Sequence, residues 1–430
     1  MNKNGLNISI LLIILLLITS GCATNSMYRD TYEVCTITVD EPCVRNNIQT
    51  HYQGTNAEFQ LNFIEIDDQG QIRSRKQFNK VLDELYQKAG KNNVLINVFV
   101  HGWHHNAAPD DTNIASFKNS LKVLSATESE LSMQQNRKPR DVVGVYIGWR
   151  GESVTIPWVN ELTFWDRKST AQEVGYLGVS EILLRLEEIS NVKNAMELSE
   201  KSRLVIIGHS FGGAVVYSAT AQILASRFVD SRADKTFVGP AEGLGDLVVL
   251  LNPAFEAIRF APLFDLAQAR CSYMPDQKPK LAILTSVSDD ATATLFPIGR
   301  FFSTIFETHS DIKRFECGLP ISFGEGSADR NTVGHFDPLI THELRAVNAK
   351  NLELKRPAVQ GAMRDIWRKS EPGDNLQIGP TILTHLEKTH PRNPYLNIKV
   401  DKALIEDHND VFGKEVQEFL RNLILLTTSE

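Results

Sequence analysis

The chain has 430 residues, of which 42% are hydrophobic and 23% are charged, a composition typical of a globular protein with a substantial core. The formal net charge of −7 and the pI near 5.9 lack the basic footprint that nucleic-acid-binding proteins carry. After the N-terminal apolar stretch, no segment has the length and apolarity of a membrane span.

The first 21 residues have the pattern of an export signal. Lys3 supplies a positive start, Leu6–Ile18 is apolar, and residues 19–21 are small. Ending in Gly-Cys, this segment resembles a bacterial lipoprotein signal. The resemblance implies that Cys22 carries a lipid and anchors the mature protein to a membrane of the cell envelope, the outer membrane if the organism is Gram-negative. A conventional cleaved signal with a free cysteine is the alternative.

Residues 22–56 are polar and are predicted to form an irregular tether between the lipid and the folded domain. Apart from Cys22, the chain has an even number of cysteines, which favours disulfides in an oxidising compartment. Nearest-neighbour pairing gives Cys35–Cys43 and Cys271–Cys317 as the preferred bridges. The other pairings, or four unpaired buried thiols, remain open.

Apolar strands alternate with amphipathic helices across residues 57–426, the predicted main domain. This alternation indicates the α/β class, with a mostly parallel central sheet and helices on both faces. Ligands of such sheets bind at the carboxyl ends of the strands. The predicted strands cover 59–66, 94–100, 142–147, 204–207, 247–251, 281–284 and 397–400, and helical faces occur at 78–86, 114–124, 174–189 and 416–424.

A histidine-rich segment, beginning His101-Gly102-Trp103, follows the strand at 94–100. A metal site is one interpretation, but histidines at this spacing usually bind metal from a helix. Because the segment follows a strand and contains Pro109, we predict no metal and no cofactor. The rejected metal cluster comprises His101, His104, His105, Asp110 and Asp111.

Two stretches exceed what a minimal α/β sheet needs. Residues 152–167 are rich in aromatic side chains and are predicted either to pack as core or to line an acyl-binding cleft. Residues 295–393 contain scattered glycines and prolines and are longer than a connection requires, so they are predicted to form a cap over the site.

The most informative motif is Gly208-His209-Ser210-Phe211-Gly212, which lies between a buried strand and the start of a helix. A serine at the apex of such a turn is held in a strained conformation with its hydroxyl accessible. The helix N-terminus directs backbone N–H groups to the place where an oxyanion would form. We therefore predict that Ser210 is a nucleophile.

Together, the serine turn and the upstream His-Gly segment resemble the alpha/beta-hydrolase superfamily, which includes lipases and esterases. The resemblance implies an alpha/beta-hydrolase fold with a cap insertion. It also implies that the backbone N–H groups of Trp103 and Phe211 form the oxyanion hole.

The superfamily's chain order of nucleophile, acid and histidine places the acid after the strand at 281–284. Asp289 is the preferred acid and Asp290 the alternative. The base is expected on the loop between the last strand and the last helix, where His408 lies. His335, within the predicted cap, is the alternative base.

The resulting hypothesis is a serine hydrolase that cleaves a small-molecule or lipid ester through an acyl-enzyme. An acyltransferase using the same triad, and a non-catalytic binding lipoprotein with this fold, are the alternatives. The substrate, the acyl-chain preference and the oligomeric state do not follow from the sequence.

Overall fold

The structure is a computed structural model that describes residues 26–151, 164–196, 201–231, 239–297, 300, 304, 307–347 and 360–428. The signal segment 1–21, Cys22 and most of the aromatic-rich stretch at 152–167 lie outside the described residues.

A 12-stranded sheet is the centre of the fold, with spatial order β1-β2-β3-β5-β4-β6-β7-β8-β14-β11-β13-β12. Every neighbouring pair from β3 to β11 is parallel. The α/β prediction with a mostly parallel sheet is confirmed. The strands are β1 Thr31–Thr36, β2 Asn46–His51, β3 Phe59–Glu65, β4 Val94–Val100, β5 Asp141–Gly148, β6 Arg203–His209, β7 Leu247–Leu251, β8 Leu281–Ser286, β9 Asp311–Glu316, β10 Leu319–Gly324, β11 His342–Ala346, β12 Asn375–Ile378, β13 Thr381–His385 and β14 Tyr395–Val400.

Helices cover both faces of the sheet. In β6, Leu204 and Ile206 belong to one apolar cluster and Val205 to another, because alternate side chains of a strand point to opposite faces. The helices are α1 Arg75–Lys91, α2 Thr112–Gln134, α3 Phe164–Val174, α4 Ser180–Met196, α5 Phe211–Asp230, α6 Ala257–Gln268, α7 Glu325–Arg330, α8 Gln360–Arg368 and α9 Lys414–Thr428.

Local sequence explains where two of these helices begin. The Ser74 hydroxyl accepts a hydrogen bond from the Gln77 N–H at the start of α1. The Asp111 carboxylate accepts one from the Asn113 N–H at the start of α2. Each cap satisfies an N–H group that has no partner within its helix, which stabilises the helix by about 1 kcal/mol.

The prediction of an irregular tether at 22–56 is wrong for the residues that form β1 and β2. β2 pairs antiparallel with β3, so the sheet begins well before residue 57. Polar residues here are buried but hydrogen-bonded: the Arg29 guanidinium, 1% exposed, donates to the Ala107 carbonyl and stacks over the Phe63 ring. Satisfied polar groups can be buried at little cost, which is why the polar sequence concealed these strands.

The predicted cap boundaries, 295–393, are too wide. β11, β13 and β12 fall within this segment, yet they extend the central sheet beyond β14. The other described residues of this segment include the separate β9–β10 hairpin and α7. At the other end of the predicted domain, α9 continues past residue 426 to Thr428.

Both preferred disulfides are present. Cys35–Cys43 joins β1 to the loop before β2, and Cys271–Cys317 joins the loop after α6 to the turn of the β9–β10 hairpin. The second bridge therefore fastens part of the predicted cap to the main domain.

Among the residues that the structure describes, none of the helices combines the length and apolar character that a bilayer crossing requires.

Candidate active site

Ser210 lies between the last residue of β6 and the first residue of α5. Its backbone has φ 56° and ψ −122°, a conformation that costs a non-glycine residue of order 1–3 kcal/mol. The Ser210 N–H donates to the Leu251 carbonyl at 2.9 Å, and the Ser210 carbonyl accepts from Ala214 and Ala254. These bonds from α5 and the loop after β7 hold the strained turn in place.

Gly212 allows the start of α5 to lie directly against the end of β4. A Cβ atom at residue 212 would overlap the Val100 carbonyl oxygen and lie 2.5 Å from the His101 carbonyl oxygen. Both neighbours are main-chain atoms, so they could not move aside cheaply. The second glycine of the motif is therefore required by packing.

The structure brings Ser210, His408 and Asp289 together. His408 Nε2 lies 2.6 Å from Ser210 Oγ, and His408 Nδ1 lies 2.8 Å from Asp289 Oδ1. Because an ionised carboxylate can only accept, the Nδ1–H donates to Asp289, which leaves Nε2 to accept the serine proton. This arrangement fits a nucleophile, a general base and an orienting acid.

Asp289 is fully buried, whereas the His408 side chain keeps 20% of its surface exposed. Burial by itself raises the pKa of Asp289, but hydrogen bonds from His408 and Thr292 outweigh it and hold the pKa below its usual value. Asp289 is therefore a carboxylate at neutral pH, as an orienting acid must be.

The two alternative site residues are placed elsewhere. Asp290 is exposed. The His335 ring contacts Thr292 Oγ1 at 3.0 Å. Of the candidates considered for the base, His408 is the one that contacts Ser210, and of those considered for the acid, Asp289 is the one that contacts His408.

Two side chains that the sequence analysis missed hold the backbone of His408. Its carbonyl oxygen accepts hydrogen bonds from His209 Nε2 and from Asn252 Nδ2, each at 2.9 Å. Burial lowers the pKa of His209 to about 3, so its ring is neutral and donates from Nε2. Asn252 Oδ1 also accepts from the Ser286 N–H, which links the ends of β7 and β8 to the histidine loop. The sequence signal was weak: His209 stands inside the serine motif, and Asn252 ends a strand.

The predicted oxyanion segment runs beside the serine. A Cβ at Gly102 would lie 2.7 Å from the Ser210 Cβ, so the main chain just before Trp103 lies directly against Ser210. His101 fixes this segment: its Nε2 accepts from the Trp149 N–H, and its Nδ1 donates to the Gly102 carbonyl. The oxyanion roles of Trp103 and Phe211 remain predictions.

The geometry does not favour the rejected metal cluster. His101 uses both ring nitrogens as described above, and burial lowers its pKa to about 4. His105 Nδ1 lies 3.1 Å from Asp111, and its Nε2 lies 3.1 Å from the Asn113 amide nitrogen.

Elsewhere among the described residues, the donor atoms of Glu307, His309 and Asp329 lie within 4.8 Å of one another, close enough to share a cation. Asp329 already pairs with Arg300 there, so the protein itself supplies positive charge to this cluster.

Comparisons of the chain with protein-family models, curated proteins and solved structures gave no match. The geometry around Ser210 therefore carries the functional argument.

Proposed function

We propose that this protein is a serine hydrolase that cleaves carboxylic esters through an acyl-enzyme intermediate. The observation that carries the proposal is the continuous hydrogen-bonded chain Ser210–His408–Asp289 at a strained strand–helix turn. Backbone strain and a buried carboxylate both cost stability. Both features adjoin His408, which contacts the strained serine with one ring nitrogen and the buried carboxylate with the other. This is the arrangement that activates a serine nucleophile.

In the proposed reaction, His408 Nε2 takes the hydroxyl proton as Ser210 Oγ attacks the ester carbonyl carbon. The tetrahedral oxyanion is stabilised by the N–H groups of Trp103 and Phe211. His408 then donates its proton to the leaving alkoxide, and the acyl-enzyme forms. A water molecule, deprotonated by the same nitrogen, releases the acid and restores Ser210.

The fold is proposed to be that of the alpha/beta-hydrolases. Support comes from the chain order of nucleophile, acid and histidine, which follow β6, β8 and β14 respectively. The β9–β10 hairpin and α7 are proposed as the cap, since the Cys271–Cys317 bridge ties them to the loop after α6. The substrate, a small-molecule or lipid ester, would enter beside them.

A membrane location is proposed from the sequence alone, through lipid on Cys22. A single acyl chain binds membranes only marginally, so a stable anchor needs more than one. Cys22→Ser is expected to move the protein from the membrane fraction to the soluble fraction. Mass spectrometry that finds an unmodified N-terminus at Ala23 or later would contradict this part of the proposal.

Labelling with a fluorophosphonate probe tests the central proposal. We expect the wild-type protein to be labelled on Ser210 and to hydrolyse p-nitrophenyl esters, and Ser210→Ala to lose both properties with little change in thermal stability. Ser322→Ala, at an exposed position of β10, is the matched control. Labelling of Ser210→Ala at the wild-type level would overturn the proposal. Product analysis with an added alcohol distinguishes an acyltransferase.

A further inference from the structure

The hydrogen-bonded chain does not end at Asp289. Asp289 Oδ2 accepts from the Thr292 hydroxyl at 2.5 Å, and Oδ1 accepts from the Thr292 N–H at 3.1 Å. On its far side, Thr292 Oγ1 lies 3.0 Å from His335 Nε2. His335, the rejected candidate for the base, thus lies one hydroxyl group behind the carboxylate.

The direction of each hydrogen bond follows from the chemistry. The ionised Asp289 cannot donate, so the single hydroxyl proton of Thr292 must point to it. The same oxygen must then accept from His335, which fixes the tautomer of His335 with its proton on Nε2. Every bond from His335 to Ser210 then has one direction that satisfies all its members.

The segment that carries His335 is held from several sides. The Thr332 hydroxyl donates to the Thr292 carbonyl at 3.2 Å, and the Val333 N–H donates to the Phe255 carbonyl at 3.1 Å. The charged groups that act on His335 are Asp289 and Asp290 after β8, Asp337 on its own segment and Lys399 on β14. Burial, the largest influence, lowers the pKa of His335, so its ring is neutral at neutral pH.

We propose that His335 is a positioning residue for the hydrolytic reaction, acting through Thr292 to fix the orientation of Asp289. This inference rests on the proposed function. A threonine side chain has few allowed rotamers about its Cα–Cβ bond, but its hydroxyl proton still rotates about the Cβ–Oγ1 bond unless a second partner fixes it. The His335 donor removes the alternative rotamers and polarises the hydroxyl, which strengthens its bond to the carboxylate. Asp289 in turn orients the imidazole of His408.

The test is a set of variants assayed by kcat, KM and the pH profile of kcat/KM with a p-nitrophenyl ester. His335→Leu and Thr292→Val each remove the hydrogen bond between residues 335 and 292. We expect each variant to lose roughly tenfold in kcat with little change in KM, as for the loss of one hydrogen bond that supports a charged group. Without this hydrogen bond, more of the negative charge of Asp289 acts on the imidazole beside it, so the acid limb of the profile should move to higher pH. His335→Gln keeps a donor at similar reach and should restore most of the rate.

The double variant His335→Leu/Thr292→Val should be no slower than Thr292→Val alone, because both changes break one pathway. His390→Gln, at another partly buried histidine, is the control and should keep the wild-type profile.

Additive losses in the double variant, or losses that follow melting temperature with an unmoved pH profile, would overturn the inference while leaving the proposed function intact. A wild-type protein that neither reacts with the probe nor hydrolyses esters would overturn both.

Discussion

The centre and the edges of the sheet differ in the side chains they carry and in their relation to the proposed site. In the central strands, nearly every side chain is apolar and buried, and β4 has no exposed residue. The groups at their carboxyl ends include Ser210, Asn252, Asp289 and His408. At the edges, β1–β2 and β12–β13 carry polar side chains. β2 pairs antiparallel with β3 and β12 pairs antiparallel with β13, whereas β1 pairs parallel with β2. None of the proposed catalytic residues lies on these edge strands.

This difference separates what makes the scaffold stable from what makes the site reactive. Burial of a large apolar side chain contributes about 1.5–3 kcal/mol, so the central strands can support strain such as that at Ser210. The N-terminal edge instead depends on particular bonds: the Cys35–Cys43 bridge and the buried Arg29. Changes at the centre should therefore affect activity first, and changes at the edge should affect stability first.

The largest expected effect is that of His408→Ala. We expect kcat to fall by about 10⁴-fold or more, because the serine loses its base. The loop should remain in place, since His209 and Asn252 hold the main-chain carbonyl of residue 408 rather than its ring. Melting temperature should change little, and steady-state kinetics with His390→Gln as the control measures the contrast. A variant that kept most of its turnover would show that another group is the base.

A second change at the centre is Gly102→Ala. The added methyl group would press against the Ser210 Cβ and displace the main chain that leads to Trp103. We expect a loss of about 10²–10³-fold in kcat, comparable to the loss of one oxyanion donor. The matched control is Gly90→Ala, where a Cβ meets no atom within 4 Å. Equal activity of the two variants would contradict the predicted role of this segment.

Removing each disulfide compares the N-terminal edge of the sheet with the proposed cap. Closing a longer loop constrains the unfolded chain more, so Cys271→Ser/Cys317→Ser, with a sequence separation of 46, should cost about 4 kcal/mol on the chain-entropy model. Cys35→Ser/Cys43→Ser, with a separation of 8, should cost about 2.5 kcal/mol. Urea unfolding measures both. Only the first pair should also change activity, and the opposite pattern would place the edge nearer the site than we infer.

At neutral pH the smallest expected effect is that of the buried histidines, because their effect on stability develops only as the pH falls. Burial lowers the pKa of His51 and His385 near the edges to about 4, and that of His101 at the centre to about 4. Each stays neutral in the folded state while the unfolded chain binds a proton below about pH 6.5. Stability should therefore decline as pH falls from about 6.5 to 4, by up to about 1.4 kcal/mol per pH unit for each histidine.

His51→Gln should remove one histidine's share of this slope and leave activity unchanged. Unfolding at a series of pH values measures it, and an unaltered slope would show that His51 titrates alike in both states.

The sequence predicted the central strands well because they are continuous apolar runs: β4 and β7 have the bounds that the pattern indicated. β2 was not predicted because its sequence is polar, and some of its buried polar side chains find partners in distant segments. Asn47 Nδ2, for example, donates to the Gln77 carbonyl, 30 positions away. The contact between Thr292 and His335 was missed for the same reason. Their part in the site depends on a contact across 43 positions, which no local pattern encodes.

The position of β14 has a consequence for the order of folding. Among the described strands, β14 is the last in chain order, yet it lies between β8 and β11, and His408 follows it. Until it inserts, both neighbours present unpaired parallel edges, which are open to pairing with other chains. A chain interrupted before residue 395 would thus lack His408. It would also leave the edges of β8 and β11 exposed and able to pair with other chains. Insertion of β14 would therefore both bring His408 to the proposed site and cover two strand edges that are otherwise open to aggregation.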